Sequence, residues 1–137
     1  MSVTEDKSPR LREGERTRRE VLSDEYVDGA EAATTEFDAP FQTLITEAAW
    51  GNLWSRNEWT KRERSIVTIS LLAALGHYDE MAMHIRATAR TGATLADVRE
   101  ALLHVAIYAG VPTANTAFRI AKQVFADMAP GTQNGRS

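Results

Sequence analysis

Apolar residues recur along this 137-residue chain at intervals of three and four, which places them on one face of a helix. Strict alternation of apolar and polar residues is never sustained, and the β-branched clusters typical of strands are scarce. The pattern therefore predicts an all-α protein, a compact helical domain of about six to seven helices.

Capping residues and glycines divide the pattern into separate helices. Ser23, Thr60 and Thr94 are side-chain caps, Thr60 forms a capping box with Glu63, and Gly76 marks a helix end. The predicted helices cover residues 14–22, 24–33, 38–53, 61–75, 79–91, 95–109 and 112–125.

The ends of the chain differ from its middle. Residues 1–13 are polar and charged and predict a flexible arm, and residues 129–137 are rich in polar residues and glycine and predict a flexible tail. Residues 14–128 then form the helical domain. Because the segment SIVTISLLAAL, residues 65–75, is apolar nearly all round, we expect that helix to be buried in the middle of the assembly.

Composition narrows the function classes. The net charge of −3 offers no basic surface for nucleic acid, and the absence of cysteine removes thiol and zinc-thiolate chemistry. No apolar run reaches the roughly 18 residues that span a bilayer, and the N-terminus has no apolar leader. We expect a cytoplasmic protein with no membrane partner.

Glu80 and His84 lie four residues apart on a predicted helix and so face the same way. An ionised carboxylate there is expected to raise the pKa of the imidazole and make it a proton donor near neutral pH. The alternative is an ordinary surface ion pair. His77 would complete a metal-binding face, but no HExxH pattern supports one, and we expect no metal.

Three cations, Lys61, Arg62 and Arg64, stand in the first turns of the helix that Thr60 caps. Cations there oppose the helix dipole, so either they are solvated or an anion offsets their charge. Arg64 is nearest the apolar body of the helix and is the candidate for gripping a carboxylate, and Arg56 could supply a second grip.

A third set of polar side chains shares one helix face. Glu100, His104 and Tyr108 follow one another at intervals of four, which leaves open either a functional pair or a hydrogen-bonded core histidine. The tryptophans, Trp50 among them, are core or interface residues or else a pocket wall.

Four ordered segments together resemble the 4-carboxymuconolactone decarboxylases of the alkylhydroperoxidase-like superfamily. The segments are WGNLWSR at 50–56, RERSIVTISLLAALG at 62–76, EMAMHIRATARTGAT at 80–94 and VREALLHVAIYAGVPTANTAF at 98–118. The chain departs from the family after Arg56, where Asn-Glu-Trp replaces the expected Pro-Gly-Leu. Thiol peroxidases of the superfamily carry C-x-x-C-x-x-x-H, but His77 and Glu80 occupy those cysteine positions here, which excludes the peroxidase interpretation.

The resemblance implies an alkylhydroperoxidase-like fold and a cofactor-independent decarboxylation of 4-carboxymuconolactone to 3-oxoadipate enol-lactone in aromatic catabolism. This substrate is a dianionic lactone that can serve as its own electron sink, so no cofactor is expected. By this resemblance Arg64, helped by Arg56, binds the substrate carboxylates. His84 protonates the ring carbon, and Glu80 sets its orientation and charge.

Further roles implied by the resemblance are less specific. His104 and Tyr108 are candidates for contacting the lactone oxygen, and Trp50 and Asn115 for binding substrate. The family also suggests a homo-oligomer, a trimer or hexamer, for which the apolar helix and the tryptophans would supply contact surface. Two alternatives remain: a related lyase or isomerase acting on another carboxylated lactone or ring, and a non-catalytic helical oligomer that binds dicarboxylates.

Overall fold

A computed structural model describes residues 7–130, which fold into α-helices and one π-helix and include no strand. The prediction of an all-α protein is confirmed. The helices are α1 Pro9–Leu22, α2 Asp24–Ala33, α3 Ala39–Ile45, the π-helix Thr46–Trp54, α4 Lys61–Leu75, α5 Tyr78–Thr91, α6 Leu95–Tyr108 and α7 Val111–Met128.

The chain divides into two compact units, with the boundary in the sequence after Trp59, and the single helical domain expected over residues 14–128 stays a prediction. Residues 9–13, expected in the N-terminal arm, are helical. Pro9 is well suited to a first helical position, and the Ser8 side chain caps the helix by accepting a hydrogen bond from the Leu11 N–H. The remainder of the predicted arm and tail, residues 1–6 and 131–137, lies outside the described residues. No helix within the described part is long and apolar enough to cross a membrane.

The first unit is built on α1. Its buried face repeats every three or four residues and consists of Gly14, Thr17, Arg18, Val21 and Leu22. This face packs against the π-helix, and the approach is so close that a Cβ on Gly14 would lie 2.2 Å from the Thr46 carbonyl oxygen. Only glycine fits at this position without movement of the backbone.

The predicted third helix changes character at Thr46. The Thr46 hydroxyl donates a hydrogen bond to the Gln42 carbonyl at 2.7 Å, and the wider π-helical turns begin at Thr46. These turns bury Trp50 and Trp54, whose rings are 5.1 Å apart and tilted by 38°. Propensity and spacing do not predict such a change, since α and π turns use the same residue types.

The second unit is formed by α4 to α7. Thr60 with Glu63 and Thr94 with Asp97 form capping boxes at the starts of α4 and α6. Left-handed Gly76 and Gly92 end α4 and α5, as the sequence predicts. All four helices contribute to one core, which comprises Ile69, Ala73, Met81, Ile85, Val98, Leu102, Val105, Ala114, Ala117, Ala121 and Val124.

Within the single chain, α4 is buried on one face only, so its expected burial in the middle of the assembly stays a prediction. Its buried residues are Arg64, Ser65, Ile69 and Ala73, which share one face. On the opposite side Val67, Leu71 and Leu75 are 38%, 57% and 67% exposed. Within the described chain α5, α6 and α7 cover only one side of this helix, so its other apolar stripe faces outward.

Candidate active site

His84 lies on the buried face of α5. Only 6% of the residue is exposed, and its neighbours along that face are Met81, Ile85 and Thr88. Burial disfavours the charged imidazolium and lowers the pKa of His84 from its ordinary value of 6.5 to about 4. The imidazole is therefore neutral near pH 7, which reverses the expected direction of its pKa shift.

Glu80 does not control this charge. It is exposed in the first turn of α5, and burial is the cause of the pKa shift of His84. His77 is also exposed, so the three residues do not share one solvent-facing surface. Within residues 7–130, no three His, Asp or Glu side chains converge in a group that could hold a metal ion.

Arg64 is the buried cation of the cluster at the start of α4, with 7% of the residue exposed. Most of Arg64 is therefore out of contact with water, whereas Lys61 is half-buried and Arg62 is exposed. Arg62 binds both carboxylate oxygens of Asp97 at 2.7 Å and, by that pairing, lowers the pKa of the Asp97 carboxyl.

A hydrogen bond joins the residue next to Arg64 in α4 to the end of α5, the helix that carries His84. Buried Ser65 donates to Thr91 at 2.7 Å and so fixes the start of α4 beside the end of α5. His84 lies seven residues before Thr91, about 10 Å along the helix axis.

Arg56 and Trp50 lie in the first unit. Arg56 is exposed, and its guanidinium is 3.4 Å from a carboxylate oxygen of Glu58. Any anion bound by Arg56 therefore competes with the Glu58 carboxylate of the chain itself. Trp50 is buried, and its carbonyl accepts a hydrogen bond from Ser55 at 2.7 Å.

The stripe on α6 is at the surface. His104 is exposed and Tyr108 is 86% exposed, their rings are stacked at 6.4 Å, and His104 Nδ1 is 3.2 Å from the Glu100 carbonyl oxygen. The alternative that His104 is a core histidine is therefore wrong. A stripe at spacing four identifies a shared helix face but not whether that face is covered.

Asn115 belongs to a different part of the second unit. It lines a groove of about 650 Å³ between α6 and α7, with apolar walls that include Phe118 and Phe125. Three further lining residues carry positive charge and were not identified from the sequence: Arg99, Arg119 and Lys122. Their spacing on two separate helices gives no linear motif, so only the packing of α6 on α7 brings them together.

The geometry defines an all-helical protein whose second unit buries one neutral imidazole and one guanidinium on paired helices. The chain belongs to the carboxymuconolactone decarboxylase family, whose family model matches residues 39–123. It is 40% identical to the 4-carboxymuconolactone decarboxylase of Acinetobacter baylyi over 119 residues, 87% of this chain and 89% of that protein. It is also 37% identical to nitrosuccinic acid decarboxylase npaB of Metarhizium robertsii over 116 residues, 85% of this chain and 81% of that protein.

Proposed function

We propose that this protein decarboxylates 4-carboxymuconolactone to 3-oxoadipate enol-lactone and CO2 without a cofactor, in the catabolism of aromatic compounds. The observation that carries the proposal is the 40% identity to a 4-carboxymuconolactone decarboxylase over 87% of the chain. The same proposal places the protein in the cytoplasm as a homo-oligomer. The exposed apolar stripe of α4 supports the homo-oligomer.

The substrate supplies the electron sink. When the bond from the ring to the carboxylate breaks, its electron pair passes through the ring double bond to the lactone carbonyl and forms an oxyfuran-like dienolate. A proton then adds to the ring carbon beside that carbonyl. The dianion and one proton become a monoanion and CO2, so the protein must bind two carboxylates, stabilise an oxyanion and deliver a proton.

His84 is the proposed proton donor, although it is neutral in the free protein because burial lowers its pKa to about 4. A bound dianion favours the imidazolium form and raises the pKa of His84 in the complex. Substrate binding therefore takes up the proton that the dienolate later receives. The low pKa before binding protects the buried site from carrying an uncompensated charge.

Arg64 is the proposed carboxylate-binding residue, because it is buried at the start of a helix that pairs with the helix of His84. A guanidinium donates two parallel hydrogen bonds to one carboxylate, which also orients the ring. Arg56 remains a proposed helper, and it must exchange Glu58 for the substrate.

The other candidate residues have supporting roles in the proposal. Glu80 is exposed in the first turn of α5, so it acts on His84 only through the electric field of its carboxylate. His104 and Tyr108 require a covering partner before they can contact a desolvated lactone, because both are at the surface. Trp50 contributes as a buried aromatic wall, and Asn115 as a polar group of the α6–α7 groove.

A second substrate has specific support. The relative from Metarhizium robertsii is named for nitrosuccinic acid, which is also a dicarboxylic acid with an electron-withdrawing group next to the departing carboxylate. The same residue types, a cation that binds a carboxylate and a side chain that donates a proton, serve both reactions. Relative kcat/KM on the two compounds decides between them.

The deciding experiment measures CO2 release from 4-carboxymuconolactone and from nitrosuccinate by the purified protein. We expect turnover of the lactone, a loss of about 100-fold or more in kcat/KM for His84→Gln, and little change for the exposed His77→Gln. Arg64→Lys should raise KM more than it lowers kcat, because the charge stays while the paired donors are lost. Binding of both dicarboxylates without CO2 release would establish the non-catalytic alternative.

A further inference from the structure

A cavity of about 290 Å³ lies entirely within the first unit, between α1, α2 and the start of α3 and the π-helix. Its volume is near the lower end of the range that holds small molecules. The walls combine apolar side chains, Leu11, Val27 and Ala39, with hydroxyl and amide groups from Gln42 and Thr46. Neither Arg64 nor His84 borders it, so the proposed decarboxylation does not use this cavity.

Arg18 borders the cavity and is only 8% exposed. Its guanidinium donates to Thr46 Oγ1 at 3.4 Å and to Gln42 Oε1 at 3.2 Å, both neutral acceptors and both at the long end of the hydrogen-bond range. Its buried Nε has no hydrogen-bond partner among the described residues. A buried arginine is ordinarily paired with an anion, and no ion pair of Arg18 occurs in the described part of the chain.

The neighbouring carboxylates are already engaged. Glu15 is 2.6 Å from Lys7, and Glu31 is 3.2 Å from Arg19. Burial lowers the pKa of Arg18, while Tyr26 and Glu31 raise it from a distance without reversing the shift. Lys7 is paired with Glu15, and Arg19 with Asp24, Asp28 and Glu31, so among the cations of the lining it is Arg18 that has no ion pair within the described residues.

We propose that this cavity binds a compact organic monocarboxylate, whose carboxylate replaces the long contacts of Arg18 and whose hydrocarbon part packs against Leu11, Val27 and Ala39. One guanidinium without an ion pair favours a ligand with a single carboxylate over the two of the proposed substrate. The guanidinium supplies charge-assisted hydrogen bonds, which are stronger than those it makes to neutral oxygens. The site is independent of the proposed function, since it shares no residue with it.

The probe is 3,3,3-trifluoropropionate, observed by fluorine NMR as it binds the full-length protein at constant ionic strength. We expect saturable binding that Arg18→Gln weakens at least tenfold. Arg16→Gln is the matched control, because Arg16 is on the same helix, exposed, and paired with Glu13. Arg64→Gln should also leave the affinity unchanged, which separates this site from the proposed decarboxylation site.

Two further measurements keep the test decisive if Arg18→Gln does not fold. Arg18→Lys keeps the charge but not the planar donors and should bind more weakly than the wild type. The neutral amide of the same probe should not bind the wild-type protein. The proposal is overturned if acid and amide bind equally, if the Arg18 variants bind as the wild type does, or if Arg64→Gln abolishes binding.

Discussion

Burial controls the charge of His84 more strongly than the carboxylate one turn away on the same helix. Helical spacing places Glu80 and His84 on neighbouring positions, but a pKa depends on what other elements cover a residue. The sequence therefore predicts which residue to examine and gives the wrong direction for its pKa. Arg64 is the converse case, since its position next to an apolar segment correctly indicates that it turns inward.

The lowered pKa of His84 makes folding stability depend on pH. The unfolded chain binds a proton near pH 6.5 and the folded chain only near pH 4, so stability from this group is complete above about pH 6.5. It declines as the pH falls to about 4, by about 3 kcal/mol in all, and not further below that. Urea unfolding of the wild type and of His84→Gln between these pH values measures the effect.

The His84→Gln variant should lose most of that pH dependence, whatever its stability at neutral pH. His77→Gln is the control, because His77 is exposed and its side chain caps nothing, so this variant should follow the wild type. Parallel curves for the wild type and His84→Gln would mean that His84 does not carry the depressed pKa.

The same pKa predicts the pH profile of turnover. If the reactive complex carries imidazolium at His84, kcat/KM reports the free protein and should fall about tenfold per pH unit above about pH 4. The kcat profile reports the complex and should begin its decline at higher pH, since the bound dianion raises the pKa. A kcat/KM that is flat from about pH 5 to 8 would instead assign His84 a neutral hydrogen-bonding role.

At the scale of helices, local chemistry predicts the boundaries well where caps are present. Ser23, Thr60, Thr94, Gly76 and Gly92 begin or end helices as expected, because each satisfies backbone groups within a few residues. The π-helix and the inward position of Arg18 were not predicted. Arg18 does share the spacing of the buried α1 face, but charge argues against burial until the cavity beside it is seen.

Two helical glycines form a matched pair for testing the packing of the first unit. On Gly14 a Cβ would meet the Thr46 carbonyl oxygen at 2.2 Å, whereas a Cβ on Gly29 in α2 would have nothing within 4 Å. Gly14→Ala should therefore destabilise the protein by about 2 to 3 kcal/mol, because the backbone itself must move. Gly29→Ala should stabilise it by about 0.5 to 1 kcal/mol through helix propensity.

Chemical denaturation followed by tryptophan fluorescence reports on this unit directly, since Trp50 and Trp54 are buried in the π-helix that Gly14 contacts. Equal effects of the two substitutions would contradict the close approach of α1 to the π-helix. Such an approach cannot be inferred from a single sequence, in which both glycines simply interrupt helical segments.

At the scale of the whole molecule, the apolar pattern overstates how much one chain buries. A segment that is apolar all round can bury its side chains equally well against its own chain or against another copy. In α4 only one face packs against its own chain. The stripe Val67, Leu71 and Leu75 therefore points to contacts that one chain does not contain. Ile107 on α6, a helix that packs against α4, is a second exposed apolar residue, with 76% of its surface open.

The proposed homo-oligomer should depend on these exposed apolar residues. Replacing Leu71 or Ile107 by Glu places a charge where burial is expected, which should weaken association roughly 100-fold or more and give species smaller than the trimer or hexamer. Ala96→Glu is the control, since Ala96 is exposed in the first turn of α6, where a carboxylate is favourable. Size-exclusion chromatography with light scattering gives the masses, and circular dichroism establishes that each variant is folded.

Unchanged masses for Leu71→Glu and Ile107→Glu would show that subunits meet elsewhere. A smaller species that also loses activity would indicate that the active site needs a neighbouring subunit.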